Sequence, residues 1–303
     1  MSETLGNLRR KMNGAGKLGS VVRTMKALAA SNIGQYENAA RALTDYDRTV
    51  ELGLVAFFRQ GGRQANGVDH TEQADKSAIG AIVFGSDQGL VGKFNEGLVD
   101  FIVDALGALP GNKMVWAVGE RVEARLQDAG LPPVETFEVP NSVTAITPLV
   151  GRILAGFEPP RRQGEVVQVY LFHNRPSSGA IYQPVSQRLL PLDEKWRREL
   201  TQVRWPTANL PEILVEGELT LQALIREYLF VSMFKACAES LAGENASRLA
   251  AMQRAEKNID ELMEDLKRTF HRLRQSGIDE ELFDVISGYE SLSATHQQNN
   301  HAS

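Results

Sequence analysis

Apolar residues in the first part of the chain recur at every seventh position. All seven members of this row are apolar or aromatic: Leu8, Ala15, Val22, Ala29, Tyr36, Leu43 and Val50. A seven-residue repeat of this length is typical of a coiled coil, because it keeps one seam of a helix facing a partner helix. Gly14, Gly16 and Gly19 weaken this helix, since each costs about 1 kcal/mol relative to alanine. The pattern therefore predicts a coiled-coil helix over residues 1–60 that a partner helix must stabilise.

A second row with the same spacing lies near the C-terminus. Only one of its members is polar: Leu224, Val231, Ala238, Asn245, Met252, Ile259, Leu266 and Leu273. Pro211 precedes the row and no proline follows it. A helix from about residue 212 to about residue 288 would be roughly 110 Å long, which exceeds the width of a globular core. We therefore expect the helix of residues 207–290 to pair with the N-terminal helix, and residues 291–303 to form a polar, disordered tail.

The segment between the two predicted helices has a different pattern. Residues 61–77 are polar and contain glycine, which indicates a loop or linker. Ala78–Phe84 and Val166–Phe172 are nearly continuous apolar runs, suited to buried parallel strands. Shorter strand and helix patterns alternate around them. This alternation indicates an α/β domain with a mostly parallel sheet over residues 78–206.

Charge supports the pairing of the two long helices. Residues 1–34 carry six basic side chains and one acidic side chain, whereas residues 244–290 carry seven basic and eleven acidic ones. Opposite surpluses on two helices favour their association. The whole chain has 33 basic and 38 acidic residues, and this mildly acidic balance argues against a dedicated nucleic-acid-binding protein. No apolar run approaches the ~20 residues of a membrane-spanning helix, so we expect no direct membrane span.

The clearest candidate for a ligand site is the glycine-containing loop Gly85–Asn95, between a predicted strand and a predicted helix. Dinucleotide and phosphate loops occupy such positions. The glycine spacing fits neither pattern, and Asp87 and Phe94 stand where a phosphate loop has glycine and serine or threonine. We therefore expect a structural turn with a surface contact. Cys237, the only cysteine, is expected to be packed and inert, and the five histidines show no metal-ligand spacing. The motifs thus indicate a chain without catalytic, cofactor or metal sites.

Four segments resemble one known family. Arg23–Ser31 is similar to the family's N-terminal helix signature, and Ser86–Gly92 is similar to its Ser-Asp-Arg-Gly-Leu-Cys-Gly segment. The strongest similarity is C-terminal, in Glu244–Met252 and Arg272–Gly288. The segments follow the family's order over nearly the whole chain. In these residues the chain resembles the gamma subunit of F-type ATP synthases.

That resemblance implies a rotary central stalk. In this family the terminal helices form an antiparallel coiled coil inside a ring of three alpha and three beta subunits. A central Rossmann-like α/β domain stands near the epsilon subunit and the membrane rotor (c) ring, so the implied fold class is α/β. Rotation of the shaft couples transmembrane ion flow to ATP synthesis or hydrolysis at the beta subunits. The resemblance implies a non-catalytic subunit without a cofactor, not a homo-oligomer, on the cytoplasmic side of a bacterial plasma (inner) membrane as a peripheral protein.

The resemblance also implies which residues contact the beta subunits. Arg274 and Gln275 match the pair that contacts a beta-subunit loop as a catch in this family. Met25 matches a shaft methionine beside an acidic beta-subunit segment, and Arg248 matches an arginine that supports the same region. Arginine suits a catch because its planar fork forms bidentate contacts with carboxylates.

The chain departs from the family's pattern at several positions. Lys26 stands where the family often has glutamate, and Asp279 stands where a threonine is usual. Val91 and Lys93 replace cysteine and glycine. These departures indicate a divergent branch of the family, such as an alternate ATPase. They leave the coupling ion open between proton and sodium.

A second hypothesis of a different class accounts for the same pattern of elements. In it, the chain is a cofactor-binding α/β enzyme that dimerises through its long helices. This alternative predicts nucleotide binding by the isolated chain and a stable homodimer. The stalk hypothesis predicts neither property, so the two hypotheses are separable by experiment.

Overall fold

A computed structural model of the chain describes residues 4–59, 78–177, 181–192 and 217–300, together with residues 196, 200, 202, 205–207 and 209. The chain divides into two compact units. We call residues 1–27 with 252–303 the helical unit, and residues 28–251 the sheet unit. The predicted linker 61–77 and residues 210–216, at the predicted start of the second long helix, lie outside the described residues.

Two helices, α1 (Leu5–Ala42) and α2 (Thr44–Arg59), form the N-terminal part of the chain, where the sequence predicts one helix over residues 1–60. Leu43 interrupts helical geometry, although its carbonyl still accepts a hydrogen bond from the Asp47 N–H at 2.8 Å. The first turn of α2 contains Asp45 and Asp47. Acidic side chains are favourable at a helix N-terminus, so this sequence supports a new helix start that the heptad row does not reveal.

The sheet unit contains a five-stranded sheet in the order β3-β2-β1-β4-β5. Its strands and the helices between them are β1 (Ala78–Phe84), α3 (Phe94–Gly107), β2 (Lys113–Val118), α4 (Glu120–Asp128), β3 (Pro133–Phe137), α5 (Ile146–Arg162), β4 (Val166–Arg175) and β5 (Gln183–Leu190). All neighbours pair in parallel except β4 and β5, which are antiparallel. This order is that of a Rossmann sheet, so the predicted fold class is confirmed.

Side chains alternate along β1 between two apolar layers. Ile79, Ala81 and Val83 pack in a layer with α3 and α4. Ile82 and Phe84 pack in the other layer with α5 and the C-terminal helix α6, which spans Gly217–Asn300. Both faces of the sheet are therefore covered, as expected for continuous apolar strands.

Strand β3 is the one element of the sheet that the sequence pattern does not indicate. It begins at Pro133, and Val134 and Glu135 are exposed. An edge strand with few buried side chains lacks the apolar run that marks β1 and β4. The pattern therefore misses it.

In the helical unit, α1 and α6 pack along the predicted heptad rows. The buried apolar residues of this seam are Leu8, Ala15, Val22, Met252, Ile259 and Leu266. The Arg9 guanidinium lies 5.5 Å from the centroid of the Phe270 ring, and Lys26 forms an ion pair with Glu256. Because the partner number falls as the α1 number rises, the two helices are antiparallel.

Helix α6 continues to Asn300, past residue 291 where the sequence predicts disorder. The structure thus has helix over residues 291–300, where the sequence predicts a disordered tail. That expectation rests on the polarity of the segment alone. The stretch from Glu290 to Asn300 contains no glycine or proline, so nothing in it interrupts helical backbone hydrogen bonding.

Candidate functional site

Arg274 and Gln275, the predicted catch pair, lie on α6 within the helical unit. Both side chains are exposed. Neither has a hydrogen bond or an ion pair to any residue that the structure describes. By contrast, Arg268 on the same helix is held by Asp265. The guanidinium of Arg274 is therefore free for a bidentate contact with a carboxylate from another protein.

The part of α6 that follows the catch pair exposes a row of large apolar side chains. Its members are Ile278, Leu282, Phe283, Val285 and Ile286. Phe283 is 69% exposed and Val285 is 70% exposed. Four acidic residues share this segment, namely Asp279, Glu280, Glu281 and Asp284. A contiguous apolar surface on a soluble helix is typical of a protein–protein contact.

Met25 lies on α1, in the same unit as the catch pair. Its side chain is half-buried, and the neighbours at helical spacing, Leu18 and Val21, are both exposed. The next residue, Lys26, pairs with Glu256. Methionine is flexible and polarisable, so it adapts to partners of different shape. Met25 therefore belongs to an accessible apolar stripe.

Arg248 is placed differently from the other predicted contact residues. It belongs to the sheet unit, and its side chain is only 13% exposed. Its Nη2 donates a 2.6 Å hydrogen bond to Oε1 of Glu244, while its Nε is buried without a partner among the described residues. Burial raises the pKa of the Glu244 carboxyl, and the neighbouring guanidinium opposes that increase. Arg248 is thus engaged within its own chain, unlike Arg274.

The loop after β1 is a structural turn, as the sequence predicts. Asp87 accepts backbone hydrogen bonds from Glu120 N at 3.0 Å and from Val139 N at 2.9 Å. The Ser86 and Asn95 side chains hydrogen-bond to each other at 2.8 Å. Glu120 begins α4, so the Asp87 carboxylate occupies the place at a helix N-terminus where a bound anion would lie.

Helix α6 contacts the carboxyl ends of β1 and β4, where the strand order of the sheet reverses. Ser240 Oγ donates to the Phe84 carbonyl at 3.1 Å, and Ser247 Oγ donates to the Val91 carbonyl at 2.5 Å. Glu239 contacts two side chains of β4. We call Glu239, Ser240 and Ser247 the polar junction. In Rossmann sheets the crevice at this edge is the ligand site, and here the chain's own helix lies against it.

Glu239 connects α6 to β4 through a polar cluster in which His173 is fully buried and Arg175 is 44% exposed. His173 Nε2 and Arg175 Nε each lie 2.8 Å from Glu239 Oε2. Burial alone would raise the pKa of Glu239, but the hydrogen bonds from His173 and Arg175 hold it below its ordinary value. Burial lowers the pKa of His173, and Glu239 only partly opposes that shift. A neutral His173 therefore donates its Nε2–H to the Glu239 carboxylate.

Cys237 and the histidines supply no further site. Cys237 is fully buried, and burial raises the pKa of its thiol far above the ordinary value, so the thiol is unreactive. Among the described residues, no group of three histidine, cysteine, aspartate or glutamate side chains is arranged to hold a metal ion. None of the described helices combines the length and the apolarity that crossing a bilayer requires.

The polar junction was not predicted from the sequence. Its two serines, Ser240 and Ser247, recur with Glu244 at steps of four and three, so these three residues form a polar stripe on one face of α6. All three are buried. The neighbouring residues of the helix are mostly apolar, and a polar stripe inside an apolar helix signals buried partners. That signal was available in the sequence, although the identity of the partners was not.

Comparison with known proteins agrees with these observations. A family model described as ATP synthase matches residues 4–292. The ATP synthase gamma chain of Glaesserella parasuis serovar 5 (strain SH0165) is 26% identical over 300 residues, covering 94% of this chain and 98% of that protein. The ATP synthase gamma chain of Syntrophobacter fumaroxidans (strain DSM 10017 / MPOB) is 26% identical over 307 residues, covering 95% and 99%.

Solved structures show the same fold. A chain from the Euglena gracilis mitochondrial ATP synthase, in the structure of OSCP, F1 and c-ring in rotational state 3, matches with a TM-score of 0.66 at 16% identity. The match covers 96% of this chain and 95% of that chain. Because the family match spans nearly the whole sequence and the relatives share its full length, the chain belongs to the gamma-subunit family of ATP synthases.

Proposed function

We propose that this chain is the rotary central-stalk subunit of an F-type ATP synthase, coupling transmembrane ion flow to ATP synthesis or hydrolysis at the beta subunits. One observation carries the proposal beyond family membership. The unpaired Arg274 and Gln275 lie directly before the exposed apolar row of α6. This arrangement suits a helix whose end is enclosed by other subunits, because no described residue of this chain covers the apolar row.

The contact residues supply the differential interactions that rotary coupling requires. A conformational change is driven only when two states are contacted with different free energies. Arg274 can form and release a bidentate hydrogen-bonded contact with one beta-subunit carboxylate at a time, and Gln275 adds an amide that both donates and accepts. Met25 offers an apolar contact that tolerates different neighbours. Arg248 would support the beta-subunit region that Met25 contacts while it remains paired with Glu244.

We further propose that the chain itself is non-catalytic and binds no cofactor. The support is that the chain's own side chains fill the crevice in which Rossmann sheets usually bind a ligand. The Asp87 carboxylate accepts a hydrogen bond at the N-terminus of α4. The two serines of the polar junction donate hydrogen bonds to the carbonyls of Phe84 and Val91. This arrangement favours the stalk over the alternative of a dimeric cofactor-binding enzyme.

The partners follow from the same proposal. The helical unit contacts the alpha and beta subunits, and the α/β domain contacts the epsilon subunit and the rotor (c) ring. Bacterial gamma chains are among the relatives. The proposed location is therefore the cytoplasmic side of a bacterial inner membrane, where the chain is a peripheral component of the complex.

Reconstitution with cognate alpha and beta subunits tests the assignment. We expect this chain to bind the ring in a one-to-one complex and to change its rate of ATP hydrolysis. Gel filtration and a coupled ATPase assay measure both properties. A ring that forms without the chain, and hydrolyses ATP no differently after its addition, would rule out the stalk function. Nucleotide binding by a stable homodimer would instead support the enzyme alternative.

The catch is tested within the same complex. Arg274→Ala with Gln275→Ala should impair coupled turnover and leave the unfolding midpoint of the isolated chain unchanged, because both side chains are exposed. Arg268→Ala is the matched control, since it removes an exposed arginine of the same helix that is held by Asp265. Unchanged turnover in the double variant would remove the catch assignment but not the family.

A further inference from the structure

We infer that the polar junction of Glu239, Ser240 and Ser247 fixes the rotational angle of α6 about its own axis against the sheet. The three side chains are thus positioning residues for torque transfer between the α/β domain and the shaft. This inference rests on the proposed rotary function. The contact residues do not hold α6 at a fixed angle. A shaft also needs a junction at which the helix does not rotate against the sheet.

The apolar part of the same interface is poorly suited to that task. Apolar burial is non-directional, and cores tolerate shifted packing when the total volume is kept. Near the junction, α6 buries the small side chains Ala236, Ala238 and Ala242 beside the larger Phe234 and Leu241. The alanines offer little steric resistance to rotation. Apolar packing therefore holds α6 on the sheet, whereas directional contacts define its angle more closely.

The two serine hydroxyls are directional. Hydrogen bonds weaken steeply beyond about 3.5 Å. A serine Oγ lies roughly 4 Å from a helix axis, so a rotation of about 20° moves it by roughly 1.4 Å. The bonds from Ser240 to Phe84 and from Ser247 to Val91 are 3.1 and 2.5 Å long, so a displacement of that size directed away from the acceptors breaks both. Two bonds almost two helical turns apart resist rotation along that length.

Glu239 adds a constraint in a second direction. Adjacent residues of a helix point about 100° apart, so Glu239 faces a different side from Ser240. Its carboxylate is held at 2.8 Å by both His173 and Arg175 of β4. Hydrogen bonds to ionised groups are stronger than neutral ones. Constraints in two directions define an angle, which one bond alone does not.

A glycine allows the close approach that these bonds need. A Cβ atom added at Gly243 would lie 3.3 Å from the carbonyl oxygen of Asn174. That separation is tighter than ordinary packing, so a larger residue would push α6 away from β4. Gly243 lies between Ser240 and Ser247 in the chain. The lack of a side chain at Gly243 therefore allows α6 to lie close to β4 at the polar junction.

The test uses the assembled complex, with the alpha–beta ring immobilised and an optical probe on the α/β domain. The measurement is the width of the probe's angular distribution while the motor is stalled, which reports torsional stiffness. The variant Glu239→Ala, Ser240→Ala, Ser247→Ala should broaden that distribution and lower the ATP yield per rotation under load. Leu229→Ala is the control, because it truncates a buried apolar residue of the same helix and interface.

We expect Leu229→Ala to lower the thermal midpoint of the chain while leaving the angular width at the wild-type value. A triple variant with wild-type width would overturn the inference, and so would a Leu229→Ala complex that is equally broadened. If the triple variant does not assemble, Ser240→Ala with Ser247→Ala provides the same comparison at an intermediate width. A wild-type chain that supports no rotation would instead refute the proposed function, before any variant is compared.

Discussion

The sheet unit and the helical unit bury their apolar residues in different ways. The sheet unit buries large side chains on both faces of its sheet, such as Trp116 and Phe84 on one face and Phe172 on the other. In the helical unit, burial is confined to one seam, and large apolar residues such as Leu262 and Phe283 remain exposed. The first arrangement supports independent stability, because most of the apolar surface is removed from water.

The difference indicates a division of tasks. A helix pair with a single seam gains little from its own packing, so its exposed apolar faces are completed by association with other proteins. A sheet with two covered faces needs no such completion. The sheet unit also buries polar residues, including His173 and Asn174, whereas the buried residues of the helical seam are apolar. Predicted effects of substitution should differ accordingly.

The largest effect is expected in the sheet core. Trp116→Ala should lower the free energy of unfolding of the sheet unit by about 3–5 kcal/mol, because it leaves a cavity beside Phe157, whose ring centroid lies 6.4 Å away. Denaturant titration followed by near-ultraviolet circular dichroism measures the loss. Val134→Ala, at an exposed position of the neighbouring strand, should change it little. A loss below about 1 kcal/mol would contradict the view of a rigid core.

A smaller and more local effect is expected at the helical seam. Ile259→Ala should cost about 2 kcal/mol, the low end for such truncations, because only a single seam surrounds the side chain. Amide hydrogen exchange should become faster in residues 5–27 and 252–276 and stay unchanged in the sheet. Leu262→Ala, which removes an exposed side chain of the same helix, should leave exchange unaltered. Faster exchange throughout the sheet would mean that the two units do not open separately.

The seam and the sheet were predictable from sequence for the same reason. Their burial follows the local periodicity of apolar residues. A seven-residue repeat therefore predicts that Leu8 and Ile259 are buried, and a continuous apolar run predicts strand β1. The break at Leu43 and the edge strand β3 lack such a period. The polar junction depends on where α6 meets the strand ends, which is a tertiary property. The polar stripe of α6 indicates buried partners for Ser240 and Ser247, but the identity of those partners, the carbonyls of Phe84 and Val91, depends on the tertiary fold.

The sheet unit should lose stability on acidification through His173. Burial lowers the pKa of His173 in the folded state. The charges of Arg175 and Lys235 lower this pKa further, and Glu239 opposes the shift. Between the lowered folded pKa and the unfolded value near 6.5, the unfolded chain binds more protons. The free energy of unfolding should therefore fall as the pH drops below about 6.5, by about 1.4 kcal/mol per unit of pKa difference.

Chemical denaturation at a series of pH values measures this slope. His173→Gln removes the titrating group, and its free energy of unfolding should lose the slope in that window. Probes in the helical unit should show no His173-dependent change, because His173 belongs to the sheet unit. An unaltered slope in the variant would assign the pH dependence to other groups.

The helical unit should gain stability from two glycine substitutions. A Cβ atom at Gly14 or Gly16 would meet no atom within 4 Å. Gly14→Ala and Gly16→Ala should each add up to about 1 kcal/mol, because alanine restricts the unfolded chain without a clash. Slower amide exchange in residues 5–27 measures the gain. Gly119→Ala in the sheet unit is the opposite case, since its φ is +117° and the new Cβ would lie 2.7 Å from Ser86 backbone atoms. Faster exchange in Gly14→Ala would contradict the view that the helix accepts a side chain at this position.

The smallest effect is expected at the ion pair of Lys26 and Glu256. The side chains are 35% and 21% exposed, so solvent screens the pair only in part. A double-mutant cycle with Lys26→Ala and Glu256→Ala should give a coupling energy of about 0.2–1 kcal/mol that falls as salt is added. The cycle for Lys257 and Glu261, which are 78% and 64% exposed at 3.8 Å, should give less. Equal coupling energies would mean that partial burial at the seam does not strengthen the ion pair. The opposite charge surpluses of the two helices would then contribute to their orientation and not to their stability.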